Sequence, residues 1–360
     1  MSEENFIANN FTNLPDTTSY TWSSPSNIAL VKYWGKNKNQ TPKNTSISFT
    51  LSNSRTITIL ELNKRNKVDN NILFDVYYKG KKMDEFKTKI ELFFRNILKY
   101  CSYLKEYSFK ITTENTFPHS SGIASSASGM SALALCIMSL EKDLDCSMKE
   151  DFFYKKASFL SRIGSGSACR SILGGINLWG KHVDIEQSTD LYSIKYPFDI
   201  CKDFLDYNDT ILLVDTEPKQ VSSSEGHKLM KNHIYAEERY KIAQKNVTKL
   251  KSILKNGNLH SFTSLIEQEA MMLHALMITS NPSYVLIKPN TLKIINSIKS
   301  FRETTNIPVC FTLDAGANVH VLYPKEGEDK VKLFIKNELK EYCKNHSFIS
   351  DKVGTGAVKL

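Results

Sequence analysis

Tyr107–Thr113, the loop Pro118-His-Ser-Ser-Gly122-Ile-Ala-Ser125-Ser126-Ala-Ser-Gly129 and the run Met130–Leu140 form the stretch that decides the architecture. The first part alternates as a strand. The middle is rich in Pro, Ser and Gly and reads as a loop. In the last, Met130, Leu133, Ile137 and Leu140 are spaced three, four and three, which puts them on one helical face. A strand therefore ends in a serine and glycine loop that opens a helix. Backbone N–H groups at a helix start have no intrahelical partner and carry the positive end of the dipole. Such a start suits a phosphate, and its serine hydroxyls can bind phosphate oxygens or ligate Mg²⁺. An ordinary N-cap would also favour serine. It is not a Walker A loop, because no Gly-Lys-Ser/Thr closes it.

Strand patterns dominate upstream. Asn27–Val31 reads as a short buried strand. Thr45–Leu51 and Arg55–Leu60 both alternate and are joined by Ser-Asn-Ser, which predicts an antiparallel hairpin. The basic stretch Lys64–Asn71 reads as a solvated hairpin tip before a strand over Ile72–Tyr78, and Glu85–Tyr100 as an amphipathic helix. Downstream, helices are expected near 151–162, 234–254, 259–278 and 290–303, and strands near 175–181, 211–215, 308–313 and 318–323. Strand runs, then helix runs, then strands again make an α+β layout, not an alternating parallel one. A polar stretch near 185–210 suggests a division into 21–205 and 206–360, preceded by a loosely held arm over 1–20.

Three further motifs carry chemistry. Gly164-Ser165-Gly166-Ser167-Ala-Cys169-Arg170-Ser171 combines close backbone approach, neutral serine donors and a planar guanidinium fork for a carboxylate or phosphate. A flexible linker would not need the arginine. Asn27-Ile-Ala-Leu-Val-Lys32-Tyr33-Trp34-Gly35-Lys36 places a lysine at the end of an apolar strand. There a lysine is costly unless paired, or its head reaches water from an edge strand. Phe311-Thr-Leu-Asp314-Ala-Gly316 puts a carboxylate at the end of another strand. It reads either as a turn Asp or as the missing partner of Lys32 or Arg170.

Composition narrows the classes. The 360 residues carry 47 Lys+Arg and 38 Asp+Glu, a net charge of +9 that suits an anionic partner: nucleic acid, a membrane surface or a phosphorylated metabolite. The longest apolar run, Ala132–Met138, falls far short of the roughly 18–20 residues that span a bilayer. Lysines such as Lys245, Lys249, Lys251 and Lys255 are spread over helices and loops without a nucleic-acid motif, so neither nucleic acid nor membrane is expected. Seven widely spaced cysteines without a CxxC argue against a disulfide framework or zinc site, and a cytoplasmic protein is the expectation.

In this order, the four motifs resemble the GHMP kinase superfamily and, within it, the diphosphomevalonate decarboxylases. Asn27–Lys36 is similar to that family's N-terminal signature, Pro118–Ala127 to the superfamily phosphate loop, Gly164–Ser171 to the decarboxylase serine and arginine motif, and Thr312–Gly316 to its aspartate motif. His119-Ser120-Ser121 stands where Thr-Ala-Ala is typical, and His227 where Met is usual. The resemblance implies a GHMP kinase fold of two lobes, ribosomal-protein-like then ferredoxin-like, with the active site in the cleft between them. It implies ATP- and Mg²⁺-dependent decarboxylation of mevalonate 5-diphosphate to isopentenyl diphosphate, usually by a homodimer. Asp314, Lys32 and Arg170 would be catalytic. Tyr33, Lys36, Ser165, Ser167, Arg170, Ser222 and Ser223 would bind substrate. Ser120, Ser121, Gly122, Ala124, Ser125 and Ser126 would bind ATP, with Ser126 on the metal. A decarboxylase acting on the monophosphate, or a mevalonate or phosphomevalonate kinase of the same superfamily, is the alternative. A plain kinase needs no arginine for a leaving carboxylate.

Overall fold

Phe6 sits in a short 3₁₀ turn, Glu3–Phe6, and is fully buried. It stacks on Phe159 with ring centroids 4.3 Å apart. The arm expected to be loose is therefore anchored by an aromatic plug. The computed structural model describes residues 1–67, 71–118, 123–217 and 221–360.

Strand β1 runs over Thr17–Val31, far longer than its apolar end Asn27–Val31. Its middle, Ser23-Ser-Pro-Ser26, lacks alternation because it is buried on both faces and interrupted by a register shift after Pro25. Strand β2 is a single element, Ser46–Lys64, so the expected hairpin at Ser52-Asn-Ser54 does not form. The reason lies about three hundred residues away. The Asp351 carboxylate accepts the N–H groups of Ser52, Asn53 and Ser54 at 2.8, 2.9 and 2.7 Å. Those donors are satisfied without a turn. β3 (Leu73–Tyr78) is followed by the short β4 (Lys81–Lys82), helix α1 (Lys87–Ile97) and β5 (Tyr107–Asn115). β3 pairs in parallel with β5 and not with β2, so β2 and β3 do not form a hairpin, and residues 68–70 of the expected tip lie outside the described residues.

Helix α2, Ser125–Leu144, is buried on nearly every face, including Met130, Leu133, Ile137 and Leu140. Its serines fit because each buried hydroxyl has a partner, as Ser131 donates to Ala168 O at 2.6 Å. α3 (Glu150–Gly164), β6 (Ile176–Trp179) and β7 (Ile194–Lys195) complete this part. β8 (Asn208–Leu212) opens a second sheet, reached again after α4 (Ser223–Leu229), α5 (Ala236–Asn256), α6 (Leu259–Ile278) and α7 (Pro289–Thr305). β9 (Cys310–Thr312), β10 (Val319–Tyr323), α8 (Glu328–Asn337) and β11 (Phe348–Lys352) follow, and β12 (Val358–Lys359) returns to the first sheet beside β1. The first sheet is ordered β12-β1-β2-β5-β3-β4 with β6 on β2 and β7 on β6; the second is β11-β8-β10-β9. The layout is α+β, as the order of the segments predicts.

Candidate active site

Lys32 is the first residue beyond β1, and its side chain is 1% exposed. The turn between β9 and β10 delivers Asp314, whose Oδ1 lies 3.0 Å from Lys32 Nζ. Asp314 keeps 31% of its side chain accessible. Burial alone would raise its carboxyl. The charges of Lys32, His320 and Arg170 outweigh that and hold it below the ordinary carboxylate value. For Lys32 burial wins over the attraction of Asp314 and Glu269, and its ammonium sits below the ordinary lysine value.

Arg170 lies in the 3₁₀ turn Gly166–Ser171, buried, with Nη1 donating to Ser46 Oγ at 2.8 Å. Its Nε has no hydrogen-bond partner among the described residues. A buried guanidinium so sparsely used has donors to offer an incoming anion. Gly166 is required by close approach: a Cβ there would stand 2.7 Å from the Tyr33 hydroxyl. Gly35 turns the chain after Trp34 with φ of 94°, and its N–H donates to His227 Nδ1 at 2.9 Å. His227 lies against the rings of Tyr33 and Trp34, each 4.5 Å away centroid to centroid. Burial, Lys36 and Arg170 push its pKa down to about 3. The imidazole is therefore neutral at pH 7. Because Nδ1 accepts, the proton is on Nε2.

These groups line one cavity of about 440 Å³. Of the residues singled out from sequence, it gathers Lys32, Tyr33, Lys36, Ala124, Ser125, Ser126, Ser165, Ser167, Arg170, Ser222, Ser223 and Asp314. Ser120, Ser121 and Gly122 lie outside the described residues. Ala124, just before α2, has a left-handed backbone (φ 44°), uncommon for a residue with a Cβ. Ser222 caps α4 by accepting Glu225 N–H at 3.2 Å, and its neighbours Ser223 and Ser224 share the rim.

The cavity also holds Trp34, which its motif gave no role, and Gln40, Ser224 and Lys89, which lie outside the motifs. Lys89, on α1, donates to Ser126 Oγ. Its side chain keeps solvent access, yet the protein crowding its amine, with Lys36 nearby, lowers its pKa to about 8. In the sequence it reads like any lysine on the polar face of an amphipathic helix. Only the docking of α1 on α3, which brings the lysine to the rim beside the start of α2, places its amine at Ser126. A second, mostly apolar cavity of about 290 Å³ shares Lys89, Ser125 and Ser126 with the first. Tyr78, Phe86, Ile90, Ile111, Met130 and Leu133 are among its walls. Among the described residues no group of three or more His, Cys, Asp or Glu could hold a metal on its own.

The fold and this site define a GHMP kinase-type enzyme. Residues 24–190 match the diphosphomevalonate decarboxylase-like N-terminal domain, and 210–357 the mevalonate 5-diphosphate decarboxylase C-terminal domain. The diphosphomevalonate decarboxylase of Saccharomyces cerevisiae is 30% identical over 347 residues, covering 88% of this chain and 81% of the yeast protein. That of Debaryomyces hansenii is 29% identical over 335 residues, covering 87% and 82%. The complex of MDDEF with MVAPP, AMPPCP and magnesium superposes with a TM-score of 0.81 at 26% identity, over 96% of this chain and 99% of that one. The mevalonate diphosphate decarboxylase of Staphylococcus aureus does so with 0.80, also at 26%, over 96% and 98%. The chain belongs to the diphosphomevalonate decarboxylase family.

Proposed function

We infer that the larger cavity carries out the family's reaction, the ATP-dependent decarboxylation of mevalonate 5-diphosphate to isopentenyl diphosphate, phosphate, ADP and carbon dioxide. The observation that carries this reading is the meeting of Arg170 with the Lys32–Asp314 pair in one cavity. The substrate's tertiary hydroxyl is a poor leaving group, and phosphorylation makes its departure feasible. Asp314, held ionised by its neighbours, orients that hydroxyl and accepts its proton. Lys32 fixes the carboxylate and offsets negative charge as the phosphoryl group arrives. Arg170 holds the substrate carboxylate, so that the electrons of the breaking C–C bond flow into the new double bond as phosphate leaves. Tyr33, Lys36, Ser165, Ser167, Ser222 and Ser223 hold the rest of the substrate, its diphosphate included.

ATP fits the second cavity and the start of α2. The apolar walls suit a purine, and Ser125, Ser126 and Lys89 stand where its phosphates would enter the first cavity. The donor set suits Mg²⁺ that is held mainly by phosphate oxygens, with Ser126 Oγ as the chain's own contribution once Lys89 turns to the phosphates. Bound there, Mg²⁺ supplies charge neutralisation on the transferring phosphoryl group. We further propose a cytoplasmic homodimer. Seven free cysteines fit a reducing compartment; the dimer rests on the family resemblance. No helix among the described residues is long and apolar enough to cross a membrane.

The decisive assay incubates the protein with ATP, Mg²⁺ and, in turn, mevalonate, its 5-phosphate and its 5-diphosphate, and measures ADP and carbon dioxide. Equal amounts of both from the 5-diphosphate are expected. ADP without carbon dioxide would mark a kinase, and turnover of the monophosphate alone would mark the other decarboxylase.

A further inference from the structure

Lys32 lies one residue past the end of β1, and the β1–β2 register shifts between Ala29 and Val31. Its backbone is thus bonded not by the strand ladder but by side chains. Asn44 Nδ2 donates to Lys32 O at 3.0 Å. The Lys32 N–H donates to Glu269 Oε2 at 2.8 Å. Glu269, on α6, is 0% exposed. Its Oε2 also accepts Arg239 Nη2 at 2.6 Å, and its Oε1 accepts Asn246 Nδ2 at 2.6 Å and Arg239 Nη1 at 3.2 Å. All four acceptor positions of one carboxylate are filled. Tying α5 to α6 would need Arg239 and Asn246 only. The bond to Lys32 is superfluous for that purpose, and it clamps the backbone from which the ammonium is projected.

We propose that Glu269, oriented by Arg239 and Asn246, is a positioning residue for the reaction: it fixes the backbone of Lys32 so that Nζ meets Asp314. The inference rests on the reading of Lys32 as part of the chemistry. Among the described residues, the charged and titratable groups around that ammonium are Asp314 from the β9–β10 turn, Glu269 from α6, Arg239 from α5, Arg170 from the 3₁₀ turn and Asp209 from β8. Burial already lowers Lys32, and Glu269 acts against that fall. Replacing its carboxylate by a neutral amide removes that support, so Lys32 loses its proton at lower pH.

The test compares Glu269→Gln, Glu269→Asp and Lys32→Met with the parent enzyme, using pH profiles of kcat and the KM of both substrates. For Glu269→Gln, kcat should fall about 10- to 100-fold with KM nearly unchanged, the scale of a displaced catalytic group. The alkaline limb of its kcat profile should move to lower pH. Glu269→Asp keeps the charge but is too short to hold Arg239 and the Lys32 N–H together; kcat should fall while the alkaline limb stays. A Glu269→Gln enzyme whose kcat falls without movement of that limb, alongside an inactive Lys32→Met, would make Glu269 merely structural. An active Lys32→Met would overturn the reading of Lys32 itself. If Glu269→Gln does not fold, Glu269→Asp decides alone, and parental kcat in it would discard the proposal.

Discussion

Two buried lysine–carboxylate pairs in this molecule have opposite surroundings. Lys156 and Glu141 join α3 to α2 inside the first half at 2.6 Å, both essentially inaccessible. Lys156 Nζ also donates to Tyr100 O at 3.2 Å, and Glu141 Oε2 accepts the Tyr103 hydroxyl at 2.9 Å. That cluster is closed, and none of these side chains has an unpartnered polar atom. Lys32 and Asp314 make the second pair. Here, among the described residues, the Lys32 ammonium bonds Asp314 alone, the carboxylate opens on a cavity, and Asn44 Oδ1 and Arg170 Nε lack partners. A buried pair with its hydrogen bonds completed holds structure in place. One left incomplete beside a cavity has capacity to bind something else.

The largest expected effect breaks the open pair. Asp314→Asn should leave ATP and substrate binding near parental while kcat drops about 10²–10⁴-fold, the range for a lost general base. Near-parental turnover in a steady-state assay would remove Asp314 from the chemistry. The same change on the closed side should do the reverse. Lys156→Met strands Glu141 and should cost about 3–5 kcal/mol in urea unfolding. Activity per folded molecule should be unaltered, and Lys156→Met with Glu141→Leu should recover most of the stability. A catalytic defect in the folded Lys156→Met enzyme would erase the contrast. Arg170→Gln comes next, with carbon dioxide release falling roughly a hundredfold and the unfolding midpoint little changed. Loss of folding would place Arg170 on the structural side.

The smallest effect concerns the cations around the open pair. Burial, Lys36 and Arg170 keep His227 neutral down to about pH 3, whereas an ordinary histidine titrates near 6.5. Between those values the unfolded chain binds the proton and the folded one does not. Stability is therefore complete above pH 6.5 and is lost as pH falls below it. His227→Gln should reduce the loss between pH 7.5 and pH 5 by about 2 kcal/mol, measured by denaturant titration. An unchanged slope would mean that His227 is not shielded as described.

Much of this was legible in the sequence because it is local. The helix expected near 259–278 forms over Leu259–Ile278, and the Asn258 side chain that caps it is its neighbour in sequence. Lys32 reads from its own segment either as a paired lysine or as an edge-strand lysine reaching water, and the 3.0 Å contact with Asp314 decides for the pair. What failed depended on distant partners. Ser52-Asn-Ser54 reads as a turn until Asp351 is seen to satisfy its amides. Lys89 reads as solvated until its amine is seen to reach Ser126 at the cavity rim. Glu269 sits in an apolar helix with nothing in its own segment to announce Arg239 or the Lys32 backbone.

The return of β12 to β1 has a kinetic consequence. Val358 pairs with Ser23, and the Thr50 hydroxyl donates to Gly354 O across 304 residues of sequence. The first sheet therefore gains its bordering strand only after the second half has brought the end of the chain back. Closing a loop of that length comes late, and high contact order slows folding. The first half, which builds the start of α2 and the 3₁₀ turn of Arg170, waits for the other to arrive before its edge is covered.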